Sequence, residues 1–218
     1  MHADAKTEAI FVIDDFFANP DEIRKIALAE NFPPAPPDEL YPGRNSERRY
    51  DFNWLAKYMS DLTGDTLTPA AKTSHGSFRL CLEGEVGAGG VHIDPCHWSC
   101  LVYLSSPEHC RGGTDFFRHR KTNTVRAPVF PGEFEKLGID RSELGQDLVG
   151  ARSKDPTIWE RIRHVPMQYN RMVLFRPWLW HDAGAGFGDT AENGRLIFVA
   201  FFVCTDPGWD DELEAVTP

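Results

Sequence analysis

From Ser77 to Val203 the chain is written in short apolar or alternating segments: "SFRLCLE", "HWSCLVYL", "GTDFFRHR", "NRMVLFR" and "GRLIFVAFFV". Glycine, proline or polar turn residues close each one off. Alternation with period two sends successive side chains to opposite faces of a strand, so this texture restricts the region to an antiparallel sandwich or barrel. A chain of 218 residues with 41% hydrophobic content can bury one such core, and a single domain is expected over 1–218.

Ahead of the β region, "IFVIDDFF" reads as a short strand. "NPDEIRKIALAENF" opens a helix, with Asn19 at the N-cap, Pro20 at the first helical position, and Asp21 and Glu22 in the first turn. A second helix is predicted at "FNWLAKYMSDLTG", where Phe52, Leu55, Met59 and Leu62 recur at helical spacing before Gly64. Between them runs a proline-rich loop, "FPPAPPDELYPGRNSERRY". The expected division is therefore a helical support over 1–76, a β core over 77–203 and a tail over 204–218. The stretch Lys121–Asn170 shows only two weak helical signals, "PGEFEKLGIDRSELGQDL" and "DPTIWERIRHV", and reads as an insertion that closes over one end of the core as a lid.

Five cysteines at irregular spacing (Cys81, Cys96, Cys100, Cys110, Cys204) suit reduced thiols better than a disulfide scaffold. The N-terminus has no basic region followed by an apolar one, and no window is long and uncharged enough to span a bilayer, so a cytoplasmic location is expected. A formal net charge of -10 argues against nucleic acid and anionic membranes as partners, because both require a basic face. A small molecule or a peptide is the expected partner; oligomeric state is not encoded in any recognisable pattern.

The stretch "GAGGVHIDPCHW" contains His92 and Asp94. A His-x-Asp/Glu pair arises by chance roughly once in a chain of this composition, so the pair alone decides nothing. On an extended segment the two side chains share a face about 6.6 Å apart, close enough to turn onto one metal. "RPWLWHDAGAG" supplies His181 after the apolar segment "MVLF". Two histidines and a carboxylate on one face of an octahedral ion leave three positions open, the arrangement of non-haem Fe(II) oxygenases. Arg195 then enters the apolar segment "GRLIFVAFF", where a guanidinium must snorkel or find an anion. Taken singly, each of these residues is more often a turn cap or a satisfied polar group; taken in order, they point to a metal site.

At these residues the chain resembles the Fe(II)/2-oxoglutarate-dependent dioxygenases, especially their prolyl-hydroxylase-like branch. The resemblance spans roughly Ser77 to Val203 and rests on "HID", "CLVYL", "GGTDFF", "LWH" and "GR" in the family's order. It implies a double-stranded β-helix, a jelly-roll core of cupin type, mainly β with flanking helices. It also implies Fe(II), with 2-oxoglutarate and O₂ as cosubstrates. His92, Asp94 and His181 would be the catalytic metal ligands, Arg195 would pair with the distal carboxylate of 2-oxoglutarate, and Tyr103 would hydrogen-bond that carboxylate. A carboxylate at position 94 implies hydroxylation or desaturation, since halogenating relatives leave that ligand position to glycine or alanine. "FANPDEIRKIAL", "YPGR" and "YNRMVLF" are similar to a family of uncharacterised bacterial proteins of the same superfamily.

Other chemistry-bearing residues have plainer readings. On an extended segment Cys96 and Cys100 stand about 13 Å apart, too far to share a zinc. Trp178 and Trp180 read as core and Tyr103 equally as a core tyrosine; Arg118, Arg120 and Arg176 could meet an acidic substrate group, although Arg118 and Arg120 lie in the basic patch "RHRK", usually a solvated face. Two rival functions remain open. One is a jelly-roll binding module without catalysis, for sugars for example; the other is a cupin-like metalloenzyme that ignores 2-oxoglutarate.

Overall fold

The computed structural model describes residues 8–36 and 39–206. Its strands are β1 (Ile10–Ile13), β2 (Arg44–Arg49), β3 (Leu67–Pro69), β4 (Ser77–Cys81), β5 (Trp98–Tyr103), β6 (Gly113–His119), β7 (Trp159–Pro166), β8 (Met172–Phe175), β9 (His181–Asp182) and β10 (Arg195–Cys204). The helices are α1 (Pro20–Leu28), α2 (Leu55–Thr63), α3 (Glu133–Leu137) and α4 (Arg141–Asp147), followed by a 3₁₀ turn at Gly150–Lys154.

All five segments read as strands from Ser77 onward are strands. Four of them, β4, β5, β8 and β10, join β1, β2 and β3 in a seven-stranded antiparallel sheet in the order β1-β8-β5-β10-β4-β2, with β3 on β10; the fifth, β6, lies in the facing three-stranded sheet, β7-β6-β9. This is a jelly-roll core, mainly β, with helices outside it. The inner layer between the sheets holds Leu101, Tyr103, Val173, Phe175, Ile197 and Val199 from the large sheet against Phe116 and Val165 from the small one. On the outer face Phe78, Leu80, Val102, Phe198 and Phe202 pack against Ala27 of α1 and Leu55 and Met59 of α2. The two faces of β10 thus feed two different apolar clusters, as period two requires.

Three expectations need correction. The segment 1–76 is more than helical support: β1 pairs with β8 and β2 with β4, so the N-terminal region supplies strands to the large sheet. The charged "RNSERR" of β2 does not read as a strand because it lies at the edge of the sheet, paired among the described strands with β4 alone, and Glu47 to Arg49 are exposed. The Lys121–Asn170 stretch likewise contains a strand, β7, where "TIWERIRHV" resembles a helix; its exposed positions Arg161 to His164 blur the alternation. The β core runs through Cys204, and the rest of the expected tail from 207 lies outside the described residues.

The two N-terminal helix signals are accurate in position. Pro20 opens α1 after Asn19, although the Asn19 side chain makes no capping hydrogen bond, and Gly64 ends α2 in the left-handed region at φ 76°. Gly113 is demanded by close packing: a Cβ there would lie 2.0 Å from the Val165 carbonyl oxygen across the β6/β7 pair.

Candidate metal centre and its cavity

His92 and His181 are held side by side by backbone. His92 N–H donates to the His181 carbonyl at 2.9 Å, and His181 N–H donates back to His92 at 3.2 Å, a single antiparallel bridge joining the 90s loop to β9. The rings lie 4.3 Å apart between centroids. Asp94 is tied to the turn ahead of His181, its N–H donating to the Pro177 carbonyl at 3.2 Å. One carboxylate therefore meets both histidines: His92 Nε2 is 3.7 Å from Asp94 Oδ1, and His181 Nε2 is 3.3 Å from Asp94 Oδ2.

Each imidazole is also oriented from behind. His92 Nδ1 lies 2.7 Å from the Gly90 carbonyl and His181 Nδ1 lies 2.7 Å from the Leu179 carbonyl. A carbonyl only accepts, so Nδ1 carries the hydrogen and the Nε2 lone pair of each ring is directed at the shared centre, as a metal ligand requires. Ser99, on β5, donates its hydroxyl to Asp94 Oδ2 at 2.5 Å.

The electrostatics favour an ionised Asp94 and a neutral His92. Burial presses the Asp94 carboxyl upward, but His181 beside it, then His92 and the Ser99 hydroxyl, bring it well below the usual carboxylate range. Burial, and then the neighbouring His181, lower the His92 imidazole. A neutral histidine and an ionised aspartate are the forms that ligate a cation. The three ligand atoms lie within 4.8 Å of one another. Atoms about 2.1 Å from one ion lie at most about 4.2 Å apart, so this set needs only a small adjustment to close on a metal.

Arg195 and Tyr103 sit on the inner face behind this cluster. In the sheet register Arg195 is opposite Cys81 and Ile197 is opposite both Tyr103 and Arg79, so Arg195, Tyr103 and Arg79 share that face. Arg195 is 2% exposed and its Nη2 has no hydrogen-bond partner among the described residues. A permanent charge with an orphaned buried donor is costly unless an anion arrives, and the orphan suits a carboxylate. Burial raises the Tyr103 phenol and the nearby Arg195 charge partly offsets that rise; the hydroxyl lies 2.8 Å from Thr114 Oγ1.

A cavity of about 400 Å³ opens beside the cluster, lined by His92 and Asp94 together with Glu39, Tyr41, Asn45, Arg49, Lys72, Ser74 and Arg79. None of its walls comes from the Lys121–Asn170 segment expected as a lid. That segment instead braces the 90s loop: Val91 N–H donates to the Ser153 carbonyl at 2.9 Å, and a Cβ on Gly90 would lie 2.8 Å from the same oxygen. Arg79 was not singled out by the sequence, although the signal was there. It interrupts the apolar "SFRLCL" as Arg195 interrupts "GRLIFV", and the same reasoning about a cation in an apolar strand applies to it.

The remaining candidates are structural. Trp178 and Trp180 lie in an apolar cluster with Val91 and Trp159. Arg176 pairs with Asp65 at 2.7 Å and stacks 3.9 Å over Trp98. Cys96 and Cys100 are buried free thiols. A second group of potential ligands, Asp65, Cys204 and Asp206, also converges. Asp65 Oδ2 there already accepts from both Arg176 and Trp98. No helix among the described residues is long and apolar enough to cross a membrane.

Residues 90–202 match the model of DUF6445, a family of unknown function. No curated protein matches the chain. Among solved structures it is similar to the non-heme alpha-ketoglutarate-dependent carbocyclase SnoK from nogalamycin biosynthesis, at 14% identity and a TM-score of 0.51 over 98% of this chain and 88% of that one. It is also similar to the Fe(II)/alpha-ketoglutarate-dependent dioxygenase TqaL, at 12% identity and a TM-score of 0.42 over 96% and 88%. At 14% identity the likeness to SnoK shows a shared fold; neither structure bears on the prolyl-hydroxylase-like branch.

Proposed function

We propose that this chain, which belongs to the family of unknown function DUF6445, is an Fe(II)/2-oxoglutarate-dependent oxygenase that hydroxylates or desaturates a small-molecule, amino-acid or peptide substrate. The observation that carries the reading is the pair of histidines whose Nδ1 atoms are pinned to carbonyls while both Nε2 atoms face one carboxylate. His92, Asp94 and His181 would hold the iron. Bound Fe(II) would supply the oxidising chemistry, one O₂ and one 2-oxoglutarate being consumed per substrate with release of succinate and CO₂.

The protein's own contribution is orientation and a fixed charge field. Gly90 and Leu179 set the tautomers of the two histidines, and Ser99 fixes the rotamer of Asp94. Arg195, anchored by β10 between β4 and β5, would receive the distal carboxylate of 2-oxoglutarate on its free edge, with the Tyr103 hydroxyl as a second donor. Burial of both groups keeps water from competing for that carboxylate.

The experiment is an anaerobic titration of the Fe(II)-loaded protein with 2-oxoglutarate, followed by a succinate assay under air. A visible charge-transfer band that saturates at one equivalent, with succinate formed, is expected. Iron binding without any effect of 2-oxoglutarate would instead indicate a cupin-like metalloenzyme of other chemistry, and absence of stoichiometric iron binding would indicate a binding module.

A further inference from the structure

We infer that the substrate is a small organic acid and that Arg79 is the residue that recognises it, its free edge pairing with the substrate carboxylate in the cavity beside His92 and Asp94. This inference rests on the reading of that cluster as the reacting centre.

Arg79 projects from β4 into the cavity wall and is 7% exposed. Its plane is fixed on three sides: the guanidinium carbon lies 3.4 Å from the centroid of the Tyr41 ring, Nε donates to Asn45 Oδ1 at 2.9 Å, and Nη2 donates to Ser74 Oγ at 3.2 Å. All of these partners are neutral. Among the described residues no carboxylate lies within ion-pair distance of Arg79, although Asp94 and Glu39 act on it through space, and its hydrogen bonds run through Nε and Nη2 alone. Arg176, the comparable buried arginine on the other side of the sheet, has Asp65 at 2.7 Å.

An arginine does not shed its proton on burial, so its charge must be compensated or its solvation cost borne by the fold. With Nε and one Nη2 hydrogen engaged, Nη1 and the second Nη2 hydrogen remain to donate to a carboxylate. The surrounding charges agree: Arg49 and Lys72 line the same cavity, against Glu39 and the Asp94 of the cluster. A volume of about 400 Å³ fits a small molecule rather than a folded partner. The cavity wall contains Arg79 and not Arg195, so the two arginines have separate roles: Arg195 for the cosubstrate behind the cluster, Arg79 for the substrate in front.

The test uses the full chain and a panel of small carboxylic acids, their primary amides, and phosphate monoesters. Binding is read by ligand-observed NMR on metal-free protein and by perturbation of the visible band of the anaerobic Fe(II)-2-oxoglutarate complex. Acids are expected to bind in preference to their amides, with Arg79→Met losing that preference by about tenfold or more while 2-oxoglutarate still binds. Arg195→Met is expected to do the reverse. Arg79→Lys serves if the methionine variant does not fold: it keeps the charge without the fork, so acid binding should weaken while amide binding is unchanged. The inference is overturned if no acid is preferred over its amide, if only phosphate esters bind, if Arg79→Lys binds acids as the wild type does, or if Arg79→Met abolishes the 2-oxoglutarate band. Failure of the oxygenase reading looks different: no band forms in the wild type, with the Arg79-dependent preference for acids intact.

Discussion

Replacing Arg195 by methionine separates two effects of opposite sign. In the ligand-free protein Arg195 is 2% exposed with Nη2 unpartnered, so the folded state carries an unsatisfied buried donor on a permanent charge. Such a group costs about 1–3 kcal/mol, and methionine, of similar length, keeps the apolar contacts between β4 and β5 while removing it. The free protein should therefore gain roughly 1–3 kcal/mol, a rise in Tm of about 2–12 °C at some 2–4 °C per kcal/mol for a chain of this size. In the presence of 2-oxoglutarate the balance inverts. Truncating one partner of a buried charge pair costs about 2–5 kcal/mol, or roughly 30- to 4000-fold in affinity. Calorimetry of the metal-free protein and anaerobic titration of the Fe(II) form measure the two halves. A variant that is less stable without ligand, yet binds 2-oxoglutarate as the wild type does, would refute the reasoning, because Arg195 would then be a packed structural residue.

Alanine at His92, Asp94 or His181 is expected to weaken Fe(II) binding, measured by metal titration, with circular dichroism unchanged, since these side chains contribute little to the apolar clusters. Gly90→Ala sets a Cβ against the Ser153 carbonyl and should shift the loop that orients His92, lowering iron affinity through a residue that is not itself a ligand. Arg176→Met strands Asp65 in the interior and should cost about 3–5 kcal/mol in denaturant unfolding, with partial recovery in the double variant with Asp65→Asn. Burial lowers the His75 imidazole, against the Phe201 carbonyl and Asp51, which raise it, and Arg49, which lowers it further. The unfolded chain then binds the proton more readily, so stability present above about pH 6.5 is lost as the pH falls through the lowered value. Replacing His75 by glutamine should flatten that part of the stability profile.

The sequence by itself determined the β texture after Ser77, the two N-terminal helices, and the order His92, Asp94, His181, Arg195. Each of these is a local matter: alternation, helical spacing and residue chemistry are properties of neighbouring positions and survive without knowledge of the partners. The Arg79 signal was equally local and went unread. What no local pattern carries is which strands meet. β1 pairs with β8 across more than 150 residues, and β2 pairs with β4 although its charged sequence has no strand signature. These pairings are decided by burial of the sheet's outer face against α1 and α2, a non-local gain in free energy. They also bring Tyr41 and Asn45 onto Arg79, so that the cavity wall beside the cluster comes from the N-terminal region rather than from the Lys121–Asn170 segment. The residues able to ligate a metal were set down in the linear chain; tertiary pairing alone placed a second buried cation next to them, in the field of Asp94 and Glu39 but without an ion-pair partner among the described residues.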